Sequence, residues 1–188
     1  MGLSATVHVF EATLNDADRG VHATLDFRVA RHPSETAEFL TMRVLAYCLE
    51  YGEGLEFSKG GLSDPDQPAL AVRDLTGALR SWIEVGLPEP ARLHKAAKAA
   101  PRVAVYAHKE VSALLPRLAA AAVHRASDIE LYTLDAALLE GFARRLDRRM
   151  RFDLAVSDRQ LYFTLGPETL SGALTRHAVG LPAGRPRS

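Results

Sequence analysis

The run Trp82-Ile83-Glu84-Val85-Gly86-Leu87-Pro88 predicts a buried strand that carries one acid and ends at a glycine and a proline. Residues 69–73 predict the preceding strand, and the turn Asp74-Leu75-Thr76-Gly77 joins the two strands into a hairpin. Pro65-Asp66 comes just before this hairpin, and Glu84 lies on its second strand. The sequence therefore has one acid just before the first strand and one on the second, and carboxylates are hard oxygen ligands that suit Mg²⁺.

Strand and helix signals alternate along the rest of the chain. Strands are predicted at residues 5–10, 25–30, 102–107, 130–134, 152–156 and 161–165, and helices at about 33–51, 90–100, 111–125 and 138–146. Pro116 is expected to kink or break the third helix. This order predicts an α/β (α+β) domain, with a mixed central β-sheet flanked by helices and β-hairpins added at both ends. One domain is expected over residues 1–180, followed by a loose tail at 181–188.

The first helix has apolar residues on two sides. Its start is predicted from Pro33, the capping-type Ser34 and the acid Glu35. One apolar line contains Leu40, Val44, Tyr47, Cys48 and Tyr51, and a nearly opposite line contains Met42, Leu45 and Leu49 together with Glu38. The helix is therefore expected to be well covered. Glu38 is the one charged residue on its line, which makes it either a third candidate acid or a partner of Arg43.

Composition narrows the class of protein. The chain has 188 residues, 47% of them hydrophobic, which suits one compact domain with a substantial core. It has neither an apolar run long enough to span a membrane nor a recognisable secretory signal, and we expect a cytoplasmic protein. Its single cysteine excludes an internal disulfide and a cysteine metal cluster. With 23 basic and 23 acidic residues, it lacks the positive excess of a non-specific DNA-coating protein.

Several segments resemble the YaeQ family of bacterial proteins. They are Arg31-His32-Pro33-Ser34-Glu35-Thr36, the run from Trp82 to Pro88, and Arg92-Leu93-His94-Lys95-Ala96 leading into Val103-Ala104-Val105-Tyr106. The resemblance covers almost the whole chain. That family is similar to the PD-(D/E)XK nucleases, so the resemblance implies a restriction-endonuclease-like fold. The resemblance is stronger evidence for the fold than for any reaction that the protein catalyses.

A nuclease of this type would place its acids around Mg²⁺, which acidifies a water and stabilises charge on the scissile phosphate. The expected metal ligands are Asp66, Glu84 and Glu38. Strand register leaves the position of Asp66 open. A two-residue turn would pair Glu84 with Gln67 and put Asp66 on the opposite face, whereas an odd loop or a bulge would return Asp66 to the face of Glu84. Asp64 has the same parity as Asp66, and Gln67 is a candidate neutral ligand.

The chain departs from the nuclease pattern two residues after Glu84. Such nucleases carry a catalytic lysine there, but this chain has Gly86. We expect Lys95 on the following helix to replace it as a catalytic residue beside Asp66 and Glu84. Lys98 and Arg92 on the same helix are the expected substrate contacts.

Two functions of different classes follow. The first is a Mg²⁺-dependent phosphodiesterase of nuclease type. The second is a catalytically inactive nuclease-fold module, in which Glu84 forms a structural salt bridge and a basic face around Lys95 and Lys98 binds nucleic acid or a protein. Two basic stretches could contact a phosphate backbone. They contain Arg92, His94, Lys95, Lys98, Arg102, His108 and Lys109, and Arg144, Arg145, Arg148, Arg149 and Arg151.

Overall fold

The computed structural model describes residues 4–59 and 64–180. In this part of the chain the strands are β1 (Thr6–Asp16), β2 (Val21–Arg31), β3 (Leu55–Phe57), β4 (Leu70–Arg73), β5 (Leu79–Val85), β6 (Arg102–Ala107), β7 (Glu130–Leu134), β8 (Arg149–Ser157), β9 (Gln160–Leu165) and β10 (Glu168–His177). The four α-helices described are α1 (Ala37–Leu49), α2 (Pro90–Ala99), α3 (Leu114–Ala120) and α4 (Ala136–Arg144). The tail predicted at residues 181–188 lies outside the described residues.

All ten strands belong to one sheet, in the order β2-β1-β8-β9-β10-β7-β6-β5-β4-β3. The pairs β1–β8, β5–β6 and β6–β7 are parallel, and the other neighbours are antiparallel. The predicted mixed sheet and both terminal hairpins, β1–β2 and β8–β9, are therefore confirmed. Two strands are not predicted from the sequence: β3, which is only three residues long, and β10, which continues the last hairpin.

The two ends of the sheet meet across α1. Phe27 of β2 and Phe57 of β3 lie on the outermost strands, yet their ring centroids are 6.1 Å apart. Tyr47 of α1 contacts both rings, at 4.4 Å and 4.7 Å. Because the sheet curls around it, α1 is buried on nearly every side, which confirms the expectation from its two apolar lines. Cys48 is fully buried there, and burial raises the pKa of its thiol to about 12.

The helix begins later than predicted. Thr36, not Ser34, is the N-cap, and its hydroxyl accepts a hydrogen bond from the backbone N–H of Phe39. Glu35 instead turns inward and pairs with Arg43 at 2.9 Å, with both side chains almost completely buried. The expected pairing of Glu38 with Arg43 is therefore wrong. Arg43 also donates to the carbonyl of Ala30 and so ties α1 to β2.

Strands β5, β6 and β7 carry helices on both faces. Ile83 and Val85 of β5 belong to the main core with α1 and α4. Trp82, on the other face of β5, belongs to a second core with α2 and α3. α3 is shorter than predicted and begins only two residues before Pro116, so the proline lies in its first turn and causes no kink. No helix among the described residues is long and apolar enough to cross a membrane.

Candidate functional site

The β4–β5 hairpin contains both features that the sequence analysis left as alternatives. Arg73 pairs with Leu79 across a five-residue loop, which shifts the register by one residue. A β-bulge between the pairs Arg73–Leu79 and Val72–Ser81 then shifts it back. The last pair is Leu70 with Ile83, and extending it by one residue places Ala69 opposite Glu84. Asp66 lies in the turn before β4, so this register does not set its direction, and its side chain pairs with Lys95 of α2.

Glu84 accepts two hydrogen bonds on one carboxylate oxygen. The indole N–H of Trp82 donates to Oε1 at 2.5 Å, and Nε of Arg92 donates to the same atom at 2.7 Å. The Glu84 side chain is only 6% exposed. Burial raises the pKa of this carboxyl, and the hydrogen bonds from Trp82 and Arg92 oppose that rise. Oε2 accepts no hydrogen bond from the described residues.

Arg92 holds three segments together. Besides its bond to Glu84, it donates to the carbonyl of Pro65 at 2.8 Å and to that of Gln67 at 2.6 Å. Its guanidinium also lies 5.7 Å from the ring centroid of Trp82. Arg92 thus links α2, β5 and the Pro65–Gln67 loop. Each of its three guanidinium nitrogens donates to a protein acceptor, and one N–H on each terminal nitrogen is left over. The predicted contact of Arg92 with a substrate stays a prediction.

Lys95 pairs with Asp66 rather than with Glu84. The Asp66 side chain is 72% exposed, and the Lys95 side chain is about half exposed. The hydrogen bond and charge of Lys95 lower the pKa of the Asp66 carboxyl. The two predicted catalytic residues therefore meet at the surface. Lys98, one turn further along α2, is exposed and makes no hydrogen bond or ion pair within residues 4–59 and 64–180.

Glu38 lies in a different cavity from Glu84. α1 packs with Ile83 and Val85, whereas Glu84 lies on the face of β5 that carries Trp82 and meets α2. The described residues contain no group of three histidine, cysteine or acidic side chains that could hold a metal ion. The predicted set of Asp66, Glu84 and Glu38 thus does not fit Mg²⁺ as arranged here, and metal binding by these residues stays a prediction.

Gly86 stands where the nuclease resemblance leads one to expect a lysine, and its surroundings explain why no side chain stands there. Its φ is +104°, which disfavours residues with a Cβ. A Cβ built on it would lie 2.9 Å from the ring of Phe39 and 3.7 Å from that of His108. The two rings therefore fill the space that a lysine at position 86 would need.

Two adjoining cavities form a groove at the carboxyl ends of β5, β6 and β7. The first, about 430 Å³, is lined by Glu84, Asp64, Gln67 and Arg92 among others, and we call it the Glu84 cavity. The second, about 790 Å³, is lined by Glu38, Lys109, Arg144 and His177 among others, and we call it the His177 cavity. Thr36 and His108 line both. Ligands of α/β proteins commonly bind at this edge of a sheet.

The ends of the two basic stretches meet in the His177 cavity. Lys109 follows β6, Arg144 ends α4, and neither side chain has an ion pair within the described residues. Much of the remaining basic charge is neutralised within the protein. Arg102 pairs with Glu50 and Glu130, Arg145 pairs with Glu168, and Arg151 pairs with Glu11. Glu38, Glu110 and Glu140 add negative charge to the cavity wall.

Comparison with known proteins agrees with the resemblance seen in the sequence. The family model described as "YaeQ protein" matches residues 1–173. This chain belongs to the YaeQ family. The uncharacterised protein YaeQ of Salmonella typhi is 29% identical over 176 residues, covering 93% of this chain and 97% of its own. The YaeQ protein of Escherichia coli (strain K12) is 34% identical over 113 residues, or 60% of this chain and 62% of its own.

Crystal structures of two YaeQ proteins are similar to this one. The protein from Pseudomonas syringae has a TM-score of 0.85 at 31% identity, covering 92% of this chain and 95% of its own. The protein from Xanthomonas axonopodis pv. citri has a TM-score of 0.79 at 29% identity, covering 94% and 99%. The fold described here is therefore shared within the YaeQ family.

Sequence reasoning missed the roles of two residues at this YaeQ site. Trp82 was read only as a strand residue, although its spacing of two from Glu84 puts both side chains on one face of β5. Arg92 was assigned to the substrate, although it lies one helical turn N-terminal to Lys95 and was an equally available cation for Glu84. No local pattern predicts the position of the bulge beside Arg80.

Proposed function

We propose that this YaeQ protein is a non-hydrolytic module of the restriction-endonuclease-like fold that binds nucleic acid along the groove. One observation carries the proposal: Oε1 of Glu84, the acid expected to hold metal, already accepts hydrogen bonds from Arg92 and Trp82. Arg92 supplies the positive charge that a metal would bring to this carboxylate. Glu84 then stabilises the fold, and the groove is left for binding.

Phosphate groups suit the His177 cavity for two reasons. Lys109 and Arg144 provide cations without protein partners among the described residues, and cations that contact phosphates release counterions. The cavity also adjoins the first turns of two helices, because Thr36 caps α1 and Ala136 begins α4. Helix N-termini carry partial positive charge. Although Glu38, Glu110 and Glu140 also line the cavity, these two cations and the helix N-termini favour the backbone of a nucleic acid over an apolar partner.

Salt-dependent binding of a fluorescent oligonucleotide, followed by anisotropy, tests this function. The variant Lys109→Ala/Arg144→Ala should bind more weakly and reduce the magnitude of the slope of log K against log salt by roughly 1.4–1.8 if each cation contacts one phosphate. Glu84→Gln should bind like the wild type. Arg151→Ala is the matched control, since Arg151 is an exposed arginine that does not line the groove. Absence of binding, or a slope equal to that of the wild type in the double variant, would refute the proposal.

A second candidate is the Mg²⁺-dependent phosphodiesterase that the family resemblance implies. One observation favours it: Asp64, Gln67 and Glu84 line the same cavity, and Oε2 of Glu84 has no hydrogen-bond donor among the described residues. Proteins commonly bind Mg²⁺ through one or two carboxylates together with substrate phosphates. Asp64 would then take the place assigned to Asp66. Cleavage of the oligonucleotide that requires metal and disappears in Glu84→Gln and Asp64→Asn would establish this candidate.

A further inference from the structure

A third cavity lies at the other end of α1 from the groove. It has a volume of about 230 Å³, and we call it the arginine cavity because Arg19, Arg102, Arg159 and Arg176 line it. Leu49 and Glu50, at the C-terminal end of α1, also line it, whereas the N-cap Thr36 lines the groove. The thirteen residues of α1 span about 20 Å. No residue that lines the groove lines this cavity, so a ligand here is independent of the proposed function.

Every carboxylate in the wall of the arginine cavity already has protein donors on both oxygens. Asp16 accepts from the backbone N–H and the guanidinium of Arg19, at 3.1 Å and 2.7 Å. Asp18 accepts from the backbone N–H groups of Asp158 and Arg159, at 2.7 Å and 2.8 Å. Glu50 accepts from Arg102 at 2.7 Å and 3.0 Å and from the hydroxyl of Tyr106 at 2.6 Å. These acids are therefore committed to the structure of the wall.

The guanidinium groups of two of the four arginines have no partner among the described residues. Arg159 and Arg176 are exposed residues that line the cavity, and their side chains make no hydrogen bond or ion pair within residues 4–59 and 64–180. Arg102, by contrast, is shared between Glu50 and Glu130. A guanidinium has five N–H donors and no acceptor. The cavity thus has N–H donors without a partner in the described part of the chain, whereas its carboxylate acceptors already have donors. A ligand that only accepts hydrogen bonds would complement this pattern.

The backbone at Arg159 is held in a conformation that arginine rarely adopts. Asp158 and Arg159 have φ values of +51° and +58° in the tight turn between β8 and β9, where glycine is usually preferred at the second position. Asp18 binds both of their N–H groups, and the N–H of Leu174 donates to the carbonyl of Arg159 at 2.8 Å. Glycine would fit this turn without strain, so the local backbone does not explain why an arginine stands at the cavity. An unusual backbone conformation of this kind is a pointer to function.

We infer that the arginine cavity binds a small phosphate-type oxyanion, either the free ion or the terminal group of a phosphomonoester, through Arg159 and Arg176. Guanidinium groups match phosphate geometry through paired N–H donors. The volume of about 230 Å³ is large enough for a phosphate group together with ordered waters or a short organic part of a phosphomonoester. Tyr106 and Tyr132, stacked at 5.1 Å, form an aromatic part of the wall.

Calorimetric titration with potassium phosphate at constant ionic strength tests the inference, with potassium chloride as the blank. The wild type should bind one phosphate per chain, and Arg159→Gly and Arg176→Gln should each bind at least about tenfold more weakly, because each removes charged donors. Arg159→Gly removes the side chain without disturbing the turn, because glycine adopts the positive φ without strain. Its thermal unfolding temperature should equal or exceed that of the wild type, so weaker binding cannot be attributed to a damaged fold.

Arg151→Gln is the matched control, and its affinity for phosphate should be unchanged. Repeating the titration with glycerol 1-phosphate distinguishes the two sources of the group. Affinity equal to that of phosphate, with the same dependence on Arg159, supports a phosphomonoester, whereas binding of phosphate alone supports the free ion. The inference is overturned if neither probe gives saturable binding to the wild type. It is also overturned if Arg159→Gly and Arg176→Gln both bind like the wild type.

Discussion

Replacing Glu84 by alanine removes the acceptor shared by Trp82 and Arg92. The substitution leaves the indole N–H of Trp82 and one guanidinium N–H of Arg92 without a partner. In the wild type the Glu84 side chain is 6% exposed and the Arg92 side chain 27% exposed. Breaking a fully buried ion pair costs about 3–5 kcal/mol, and an unsatisfied buried donor costs about 1–3 kcal/mol. Because Arg92 remains partly solvated, we expect a loss of about 2–3 kcal/mol in the free energy of unfolding.

Urea denaturation of the wild type, Glu84→Ala and Glu84→Gln measures this loss. Glutamine keeps an oxygen acceptor in the same place and loses only the charge, so Glu84→Gln should lose about 1 kcal/mol. For a chain of this length, the alanine variant should unfold at a temperature lower by roughly 5–10 °C. The double variant Glu84→Ala/Arg92→Ala should lose less than the sum of the single variants, because the two side chains interact.

A loss below about 0.5 kcal/mol for Glu84→Ala, which is typical of an ordinary surface substitution, would refute this reasoning. It would mean that the ion pair is not a structural element, and Glu84 would again be available as a metal ligand. Equal losses for alanine and glutamine would also contradict the account, since the acceptor oxygen would then have no role.

Three further predictions concern other parts of the chain. Gly86→Lys introduces a lysine where the nuclease pattern has one. It should destabilise the protein by about 1–3 kcal/mol in urea denaturation, because of the positive φ and the nearby Phe39 ring. It should not produce nuclease activity in a cleavage assay. Arg125→Ala should cost about 1–2 kcal/mol in urea denaturation, because Arg125 donates to the carbonyls of Ala97 and Ala100 at the end of α2. Hydrogen bonds from Thr76, Ala78 and Arg80 lower the pKa of Asp74 to about 2. Its contribution to stability should therefore be present above its unfolded value of 3.8 and be lost as the pH falls towards 2, which acid titration of the wild type against Asp74→Ala would show.

Much of the fold could be predicted because its elements have strong local signals. β6 and β7 were predicted with their observed bounds, since each is a short apolar run between turn residues. The burial of α1 on several sides followed from two apolar lines at helical spacing. The closure of the sheet around α1 could not be predicted, because it depends on contacts such as Phe27 with Phe57, between strands that are far apart in sheet order.

The candidate site was only partly predictable. The sequence analysis predicts Glu84 as an acid of the site and Lys95 of α2 as its catalytic lysine, but it does not predict the ion pair of Arg92 with Glu84 or that of Lys95 with Asp66. Periodicity also offered an odd loop or a bulge as alternatives, each of which alone would put Asp66 on the face of Glu84 if β4 extended to residue 66, but β4 begins at Leu70. The structure has both, and their effects on register cancel. Local sequence patterns cannot predict the register of β4 against β5, because it depends on both the loop length and the bulge.

Calorimetric titration of Mg²⁺ and Mn²⁺ tests the central claim most directly, with the wild type and Glu84→Gln each measured alone and with an oligonucleotide present. Because Arg92 and Trp82 already occupy Oε1 of Glu84, the account predicts no saturable metal binding that depends on Glu84, even at millimolar metal. Substrate phosphates can complete a Mg²⁺ site, so the prediction covers both conditions. Saturable binding to the wild type that disappears in Glu84→Gln would contradict the account and establish a metal-dependent site at this carboxylate.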